Sequence, residues 1–286
     1  MRLSLSTNWC NRRIQSGEAI AEKALELGFS ELELGYHTPI DQVAGFRKML
    51  DRIPVGSVHA FCPVPISAPQ GYPELYPLAS FDEESVKMAQ FHVKRNVEFA
   101  SGIGADTVVL HAGRVMCASW FKGWYERKRV NRGVKLLGRF KKTLESIVPV
   151  LERNKVVLAL ENLPYFEGFP NEYELSKILE WDLGGWVKGW YDTGHARVRE
   201  QNGWLSVPQP APLVPPDPSR FAGMHLNDVV DRNDDHLAPS FGKVDFAALR
   251  TFAESVRHVV FEPSAAVSEA NLKRGVVHIR EVWGLP

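Results

Sequence analysis

The sequence predicts a single-domain α/β fold, a TIM (β/α)8 barrel spanning residues 1–286, on three observations. Short apolar, β-prone runs alternate with longer amphipathic helical patterns, which is the signature of parallel βαβ units. The runs number eight. A chain of 286 residues with 44% hydrophobic content can also bury one large core, and no repeat or composition shift marks a second domain.

The strands expected in order are "RLSLS" (Arg2 to Ser6), "ELELG" (Glu31 to Gly35), "GSVHAF" (Gly56 to Phe61) and "TVVLHAG" (Thr107 to Gly113). They continue with "VVLALEN" (Val156 to Asn162), "VKGWYD" (Val187 to Asp192), "GMHLND" (Gly223 to Asp228) and "HVVFEP" (His258 to Pro263). Between them the 3.6-residue period predicts helices such as Gly17 to Gly28, Asp82 to Gly104 and Gly138 to Asn154. The sixth crossing is the exception, because Val207 to Ser219 is too rich in proline for a helix and is expected to be irregular.

Charge and leader signals restrict the class of protein. Lys+Arg 34 balances Asp+Glu 34, so no global field favours nucleic acid, an acidic polymer or a membrane surface. The opening "MRLSLSTNWCNRR" is too polar for a signal peptide, and no run of about 18 apolar residues follows. A cytoplasmic location with no membrane segment is the expectation. Three cysteines, Cys10, Cys62 and Cys117, lack a C-x-x-C pair and read as reduced thiols.

In such a barrel the chemistry gathers at the C-terminal ends of the strands. Strand three ends in His59, strand four in His111, strand five in Glu161, strand six in Asp192 with His195 in the following loop, strand seven in His225 and strand eight in Glu262. The loop after strand seven adds Asp234 and His236. One such histidine is ordinarily a hydrogen-bonded structural group; six successive strand ends carrying acidic or imidazole groups argue for a shared site. Converging carboxylates repel and protonate unless a cation compensates them, and neutral imidazoles supply nitrogen donors, so the ring calls for a divalent metal such as Mn, Co, Mg or Zn. His37, His92, His258 and His278 fall elsewhere and read as surface or structural groups.

The segments "SVHAF", "VVLHAGR", "LALENLP", "WYDTGHA", "GMHLND", "DDHLAPSFG" and "VVFEPS", spanning His59 to Ser264, resemble the xylose-isomerase-like TIM-barrel superfamily of sugar isomerases, ketose epimerases, inosose-processing enzymes and endonuclease IV-type repair enzymes. The resemblance implies a metal held by Glu161, Asp192, His225 and Glu262, with His59, His111, His195, Asp234 and His236 as further ligands or substrate contacts. It implies isomerisation or epimerisation of a small polyhydroxylated substrate through an enediolate, with Glu161 and Glu262 as opposed acid/base groups and His195 at the substrate oxygen. His59, His111, His236, Arg114 and Arg197 are the expected substrate-binding residues.

The competing reading is a multi-zinc phosphodiesterase of the endonuclease IV type acting on abasic DNA. It draws on the basic segment Glu126 to Lys142, expected to begin in a loop at the barrel mouth, although a solvated helix face explains such a run better. A third class, a barrel with a vestigial metal site, would leave a costly ring of buried charge without use. Ser240 and Gly242 stand where the family has a G-x-G turn, which puts the setting of that loop in question. Trp9, Trp120, Trp124 and Trp204 fall in expected loops and could stack on sugar rings or pack the loops. Exposed apolar residues such as Phe121 and Trp124 fit a homodimer.

Overall fold

A computed structural model describes residues 1–115, 122–205, 215, 217–233 and 236–286. Its eight parallel strands are β1 (Ser4–Ser6), β2 (Glu31–Leu34), β3 (Val55–His59), β4 (Thr107–Leu110), β5 (Val157–Glu161), β6 (Val187–Asp192), β7 (Phe221–Leu226) and β8 (His258–Phe261). They close into a barrel in which β8 pairs with β1 and every other strand pairs with its neighbours in sequence. The expected fold is therefore present: β1 and β6 end where the sequence suggests, the other six strands end one to three residues earlier, and β3 and β7 also begin one and two residues earlier.

The strand expected over Thr107 to Gly113 divides. β4 stops at Leu110, and Gly113–Arg114 turns away to pair antiparallel with Gly168–Phe169 beyond β5. His111 is thereby left on the rim, just past its strand.

Nine helices are described: α1 (Gly17–Glu26), α2 (Ile40–Met49), α3 (Glu83–Ile103), α4 (Lys122–Glu145), α5 (Val148–Asn154), α6 (Glu172–Leu179), α7 (Thr193–Asn202), α8 (Arg250–Ser255) and α9 (Glu269–Trp283). Ser16, Asp82, Asn171 and Ser268 accept from backbone N–H groups of the first turns of α1, α3, α6 and α9, satisfying donors that a helix start leaves unpaired. Among the described residues no helix is long and apolar enough to cross a membrane.

Two expectations change on this wall of the barrel. The single helix expected over Gly138 to Asn154 is two, because Pro149 has no N–H to continue the ladder and α5 restarts with it in its first turn. The basic segment Glu126 to Lys142 lies wholly inside α4 rather than in a mouth loop. Arg129, in the middle of that segment, is buried and donates to both carboxylate oxygens of Glu174 at 2.7 and 2.9 Å and to the Gly168 carbonyl at 2.6 Å. Most of the proline-rich crossing lies outside the described residues; at its end Pro218–Arg220 forms a short 3-10 turn capped by Asp217.

The barrel interior is layered. An apolar layer of Val109, Ala159, Trp190, Ala222 and Val260 fills its waist, separate from the larger core between strands and helices. Below it, toward the N-terminal ends, His258 is buried between Glu31 and Asp106, with Nδ1 3.2 Å from Glu31 Oε2 and Nε2 2.8 Å from Asp106 Oδ1. Above it lies the second polar layer, at the C-terminal ends.

Candidate active site

β5 ends on Glu161, β6 on Asp192 and β3 on His59, while His225 is the penultimate residue of β7 and Glu262 follows β8. Parallel register sets Asp192 directly opposite His225. Ligand atoms of Glu161, Asp192, His225 and Glu262 lie within 4.8 Å of one another, and those of His59, His111 and Glu161 form a second such group. Glu161 belongs to both. All six residues are buried.

The histidines are set by backbone carbonyls. A carbonyl can only accept, so His59 Nδ1 donates to Ala60 O (3.0 Å), His195 Nδ1 to Asn162 O (2.8 Å) and His236 Nδ1 to Glu262 O (2.9 Å). In each neutral ring the lone pair then falls on Nε2, the state a metal or a substrate hydroxyl requires. His195 Nδ1 is also 3.2 Å from Glu161 Oε1, and the His195 and His236 rings meet edge to face at 5.3 Å. His195 is not in a loop, as expected, but in the first turn of α7.

Asp192 is the N-cap of that helix. Its Oδ1 accepts from His195 N (2.7 Å) and its Oδ2 from Asn227 Nδ2 (2.6 Å). Asn162 locks the same corner, accepting from Asp192 N at 2.7 Å and donating to Asp192 O at 3.0 Å. Gly194 between them is required by space, since a Cβ there would stand 1.8 Å from Asn227 Oδ1. This corner accounts for the "DTGH" spacing.

Burial and charge pull the cluster's protonation in opposite directions. Burial alone would raise the Glu161 carboxyl, but His111 and His225 outweigh it and hold it well below the usual carboxylate range. For Asp192, burial and the neighbouring Glu161 prevail and push it up. Burial would lower His111, yet Glu161 and Glu74 raise it to about 9, and Glu262, Glu33 and Glu161 raise His225 well above the ordinary imidazole value.

The residues fit a divalent cation on a separate observation. His59 Nε2 and Glu161 Oε2 are only 3.2 Å apart yet neither has a hydrogen-bond partner, and both are buried. Unpartnered buried polar atoms are expensive unless they serve as ligands. The mixed carboxylate and imidazole donors suit Mn, Co, Fe or Zn.

Several side chains at this layer escaped the sequence reading. Glu33 of β2 is fully buried with both carboxylate oxygens near His225 Nε2, at 3.1 and 3.2 Å. Asn8 Nδ2 donates to Glu262 Oε1 at 3.1 Å. Glu74, from the loop after β3, stands 3.8 Å from His111 Nδ1 and accepts from Arg114 Nε at 2.6 Å. Glu33 is the second carboxylate on one face of "ELEL", a pattern shared with a strand whose polar face meets water, so it carried no distinguishing signal; Glu74 had none.

The remaining expected residues scatter. Arg114 stacks over the Tyr165 ring at 3.6 Å and reaches His111 only through Glu74. Arg197 pairs with Glu200 along α7. Asp234, Cys117, Trp120 and Phe121 lie outside the described residues. Trp9 is not a stacking platform: it is buried and donates Nε1 to Val267 O at 2.8 Å. Trp124 is 73% exposed on α4. Ser240 holds a left-handed φ of +79°, and Asp228 gathers the same loop by accepting from Val229 N, Gly242 N and Val244 N.

The fold is shared with several solved structures. A putative xylose isomerase from Rhodospirillum rubrum is 16% identical with a TM-score of 0.72, covering 98% of this chain and 99% of that one. A 3-keto-D-glucoside 4-epimerase from E. coli is 17% identical at TM-score 0.71, with 98% and 99% covered. A D-tagatose 3-epimerase-like protein is 19% identical at TM-score 0.68, with 99% and 98% covered. No curated protein matches the chain by sequence. The xylose isomerase-like TIM-barrel profile matches residues 21–274, most of the chain, and the protein belongs to that family.

Proposed function

We propose that the protein is a divalent-metal-dependent isomerase or epimerase acting on a small sugar, sugar phosphate or cyclitol. The observation that carries this reading is the convergence of Glu161, Asp192, His225 and Glu262 ligand atoms within 4.8 Å at the C-terminal end of the barrel. Likeness to a 3-keto-D-glucoside 4-epimerase and a D-tagatose 3-epimerase-like protein supports the carbohydrate class.

A bound divalent cation would polarise adjacent carbonyl and hydroxyl oxygens, acidify the intervening C–H and stabilise the enediolate. Glu161 and Glu262 flank His225 Nδ1 at 3.3 and 3.1 Å, from β5 and from the end of β8. One carboxylate removes the proton and the other returns it, as inversion at carbon requires. Asn8 steadies Glu262 for that role. His195, its Nδ1–H held by Asn162, presents Nε2 chemistry to a substrate oxygen, and His59, His111 and His236 complete the polar lining. Arg114, which pairs with Glu74 and stacks on Tyr165, is the proposed contact for an anionic substituent, and Arg197, paired with Glu200 on α7, is the second.

A second reading, zinc-dependent phosphodiester cleavage, draws on one observation: Glu161 is common to both ligand groups and could bridge two ions. Metal content per chain of wild type and a Glu161→Gln, Glu262→Gln double variant separates the two. One Mn, Co or Mg per wild-type chain, lost in the variant, with deuterium entering one member of a ketose panel from heavy water, is the expected result. Two or three zinc ions with cleavage of abasic DNA would transfer the assignment, and a wild type that takes up no divalent metal would refute both.

A further inference from the structure

We propose that Glu33 is a positioning residue for the metal centre: its carboxylate holds the Nε2–H of His225 and so aims Nδ1 at Glu161, Asp192 and Glu262. The inference rests on the metal-dependent reading above and adds to it a residue three strands away around the barrel.

The geometry is that of a built contact. Glu33 lies on β2 and His225 on β7, with β8 and β1 between them in the barrel. Glu33 is fully buried, so its carboxylate needs compensation, and its two oxygens straddle His225 Nε2 at 3.1 and 3.2 Å. Ser57 Oγ donates to Oε2 at 2.9 Å and fixes the carboxylate plane. Ser57 is in place because the β2–β3 register slips by one residue between Leu32 and Glu33, which sets Ser57 level with Glu33. The ring is clamped on its faces as well, parallel to His59 at 5.7 Å and edge-on to Trp190 at 5.0 Å.

One nitrogen is thus occupied by Glu33 while the other lies 3.1 to 3.6 Å from three carboxylates. A carboxylate behind a ligating imidazole fixes its tautomer and orientation and raises its basicity as a ligand. The alternative is that Glu33 merely satisfies buried polarity. Glu31 tests that alternative inside the same molecule. It sits two residues earlier on the same face of the same strand and binds His258, whose other nitrogen meets Asp106 in the lower layer, away from the cluster. A purely structural carboxylate–imidazole pair is what Glu31 provides.

The experiment strips the full-length protein of metal and titrates Mn2+ and Zn2+ calorimetrically into wild type, Glu33→Gln, Glu33→Asp and Glu31→Gln, with apo melting temperatures measured alongside. Glu33→Gln, which removes the charge, and Glu33→Asp, which keeps the charge but shortens the reach, are both expected to weaken metal binding about 10- to 100-fold. Glu31→Gln lowers the melting temperature and leaves metal affinity unchanged. In the zinc-loaded wild type, long-range 15N–1H spectra show His225 protonated on Nε2. Wild-type affinity in either Glu33 variant, an equal loss in Glu31→Gln, or a His225 protonated on Nδ1 overturns the positioning role while leaving the metal site standing. Failure of the wild type to bind either ion overturns the functional reading together with this one.

Discussion

Replacing Arg129 by methionine should be among the most destabilising single changes outside the proposed metal site, although it removes a residue from what reads in sequence as a solvated basic run. Arg129 and Glu174 are both almost inaccessible, with side chains 2% and 3% exposed, and the pair is bidentate. The guanidinium also serves the Phe166 and Gly168 carbonyls, tying α4 to the loop after β5. Glu174 in turn accepts from Asn171 N in the capping box of α6, so it stays buried when its partner is removed. Breaking a buried pair from one side costs about 3–5 kcal/mol because the remaining charge is uncompensated. At about 2 °C per kcal/mol for a chain of this size, calorimetry should show a fall of about 6–10 °C. Glu174→Leu should cost a similar amount, and the Arg129→Met, Glu174→Leu double variant should recover much of the loss, since an apolar pair replaces the ion pair. An Arg129→Met melting temperature within the error of wild type, or a double variant equal to the sum of the singles, would refute the argument.

Three further outcomes follow from particular contacts. Burial would lower the His258 pKa, but Asp106 and Glu31 raise it, and His258 in turn helps hold both carboxyls below their usual range. The imidazolium's contribution is complete below its unfolded value of about 6.5 and fades as pH rises through the folded value, while the carboxylates' contribution fades below about 4. The melting-temperature gap between wild type and His258→Gln should therefore be widest between those values and narrow in alkali; a gap that widens with rising pH would contradict the pairing. Ser240→Gly relieves a side chain held at φ +79° and should stabilise by about 0.5–1 kcal/mol in urea unfolding, with no gain arguing against strain there. Gly194→Ala drives a Cβ into Asn227 Oδ1 and should cost about 1–3 kcal/mol while weakening metal binding, because Asn227 also holds Asp192; normal metal affinity would show that corner to be dispensable.

The fold was legible because the two periods, 2 for strands and 3.6 for helices, are separated cleanly along most of the chain. α4 was not. Gly133 and Gly138 weaken its helical pattern, and the first of them exists for a tertiary reason, since a Cβ at Gly133 would stand 1.9 Å from Glu174 Oε1. The helix is held by the Arg129 pair, whose acceptor lies 45 residues away and leaves no local trace.

The same distinction separates the parts of the site. Glu161, Asp192, His225 and Glu262 could be placed from sequence because the barrel's topology assigns meaning to a polar residue at a strand end, whatever it later touches. Glu33 is also near a strand end, but "ELEL" is what a half-buried strand with polar residues facing water looks like, and only closure of the barrel turns that face inward. Once closed, Glu31 and Glu33 point into the lower and upper polar layers on either side of Trp190, and each acquires an imidazole. Sequence separation between Glu33 and His225 is 192 residues, so neither residue's surroundings in the chain encode the pairing. The proposed ligands are thus specified by position and their orientation by partners across the barrel. That division implies that variants at the strand ends should abolish metal binding outright, whereas variants at Glu33, Asn227 and Asn8 should grade it.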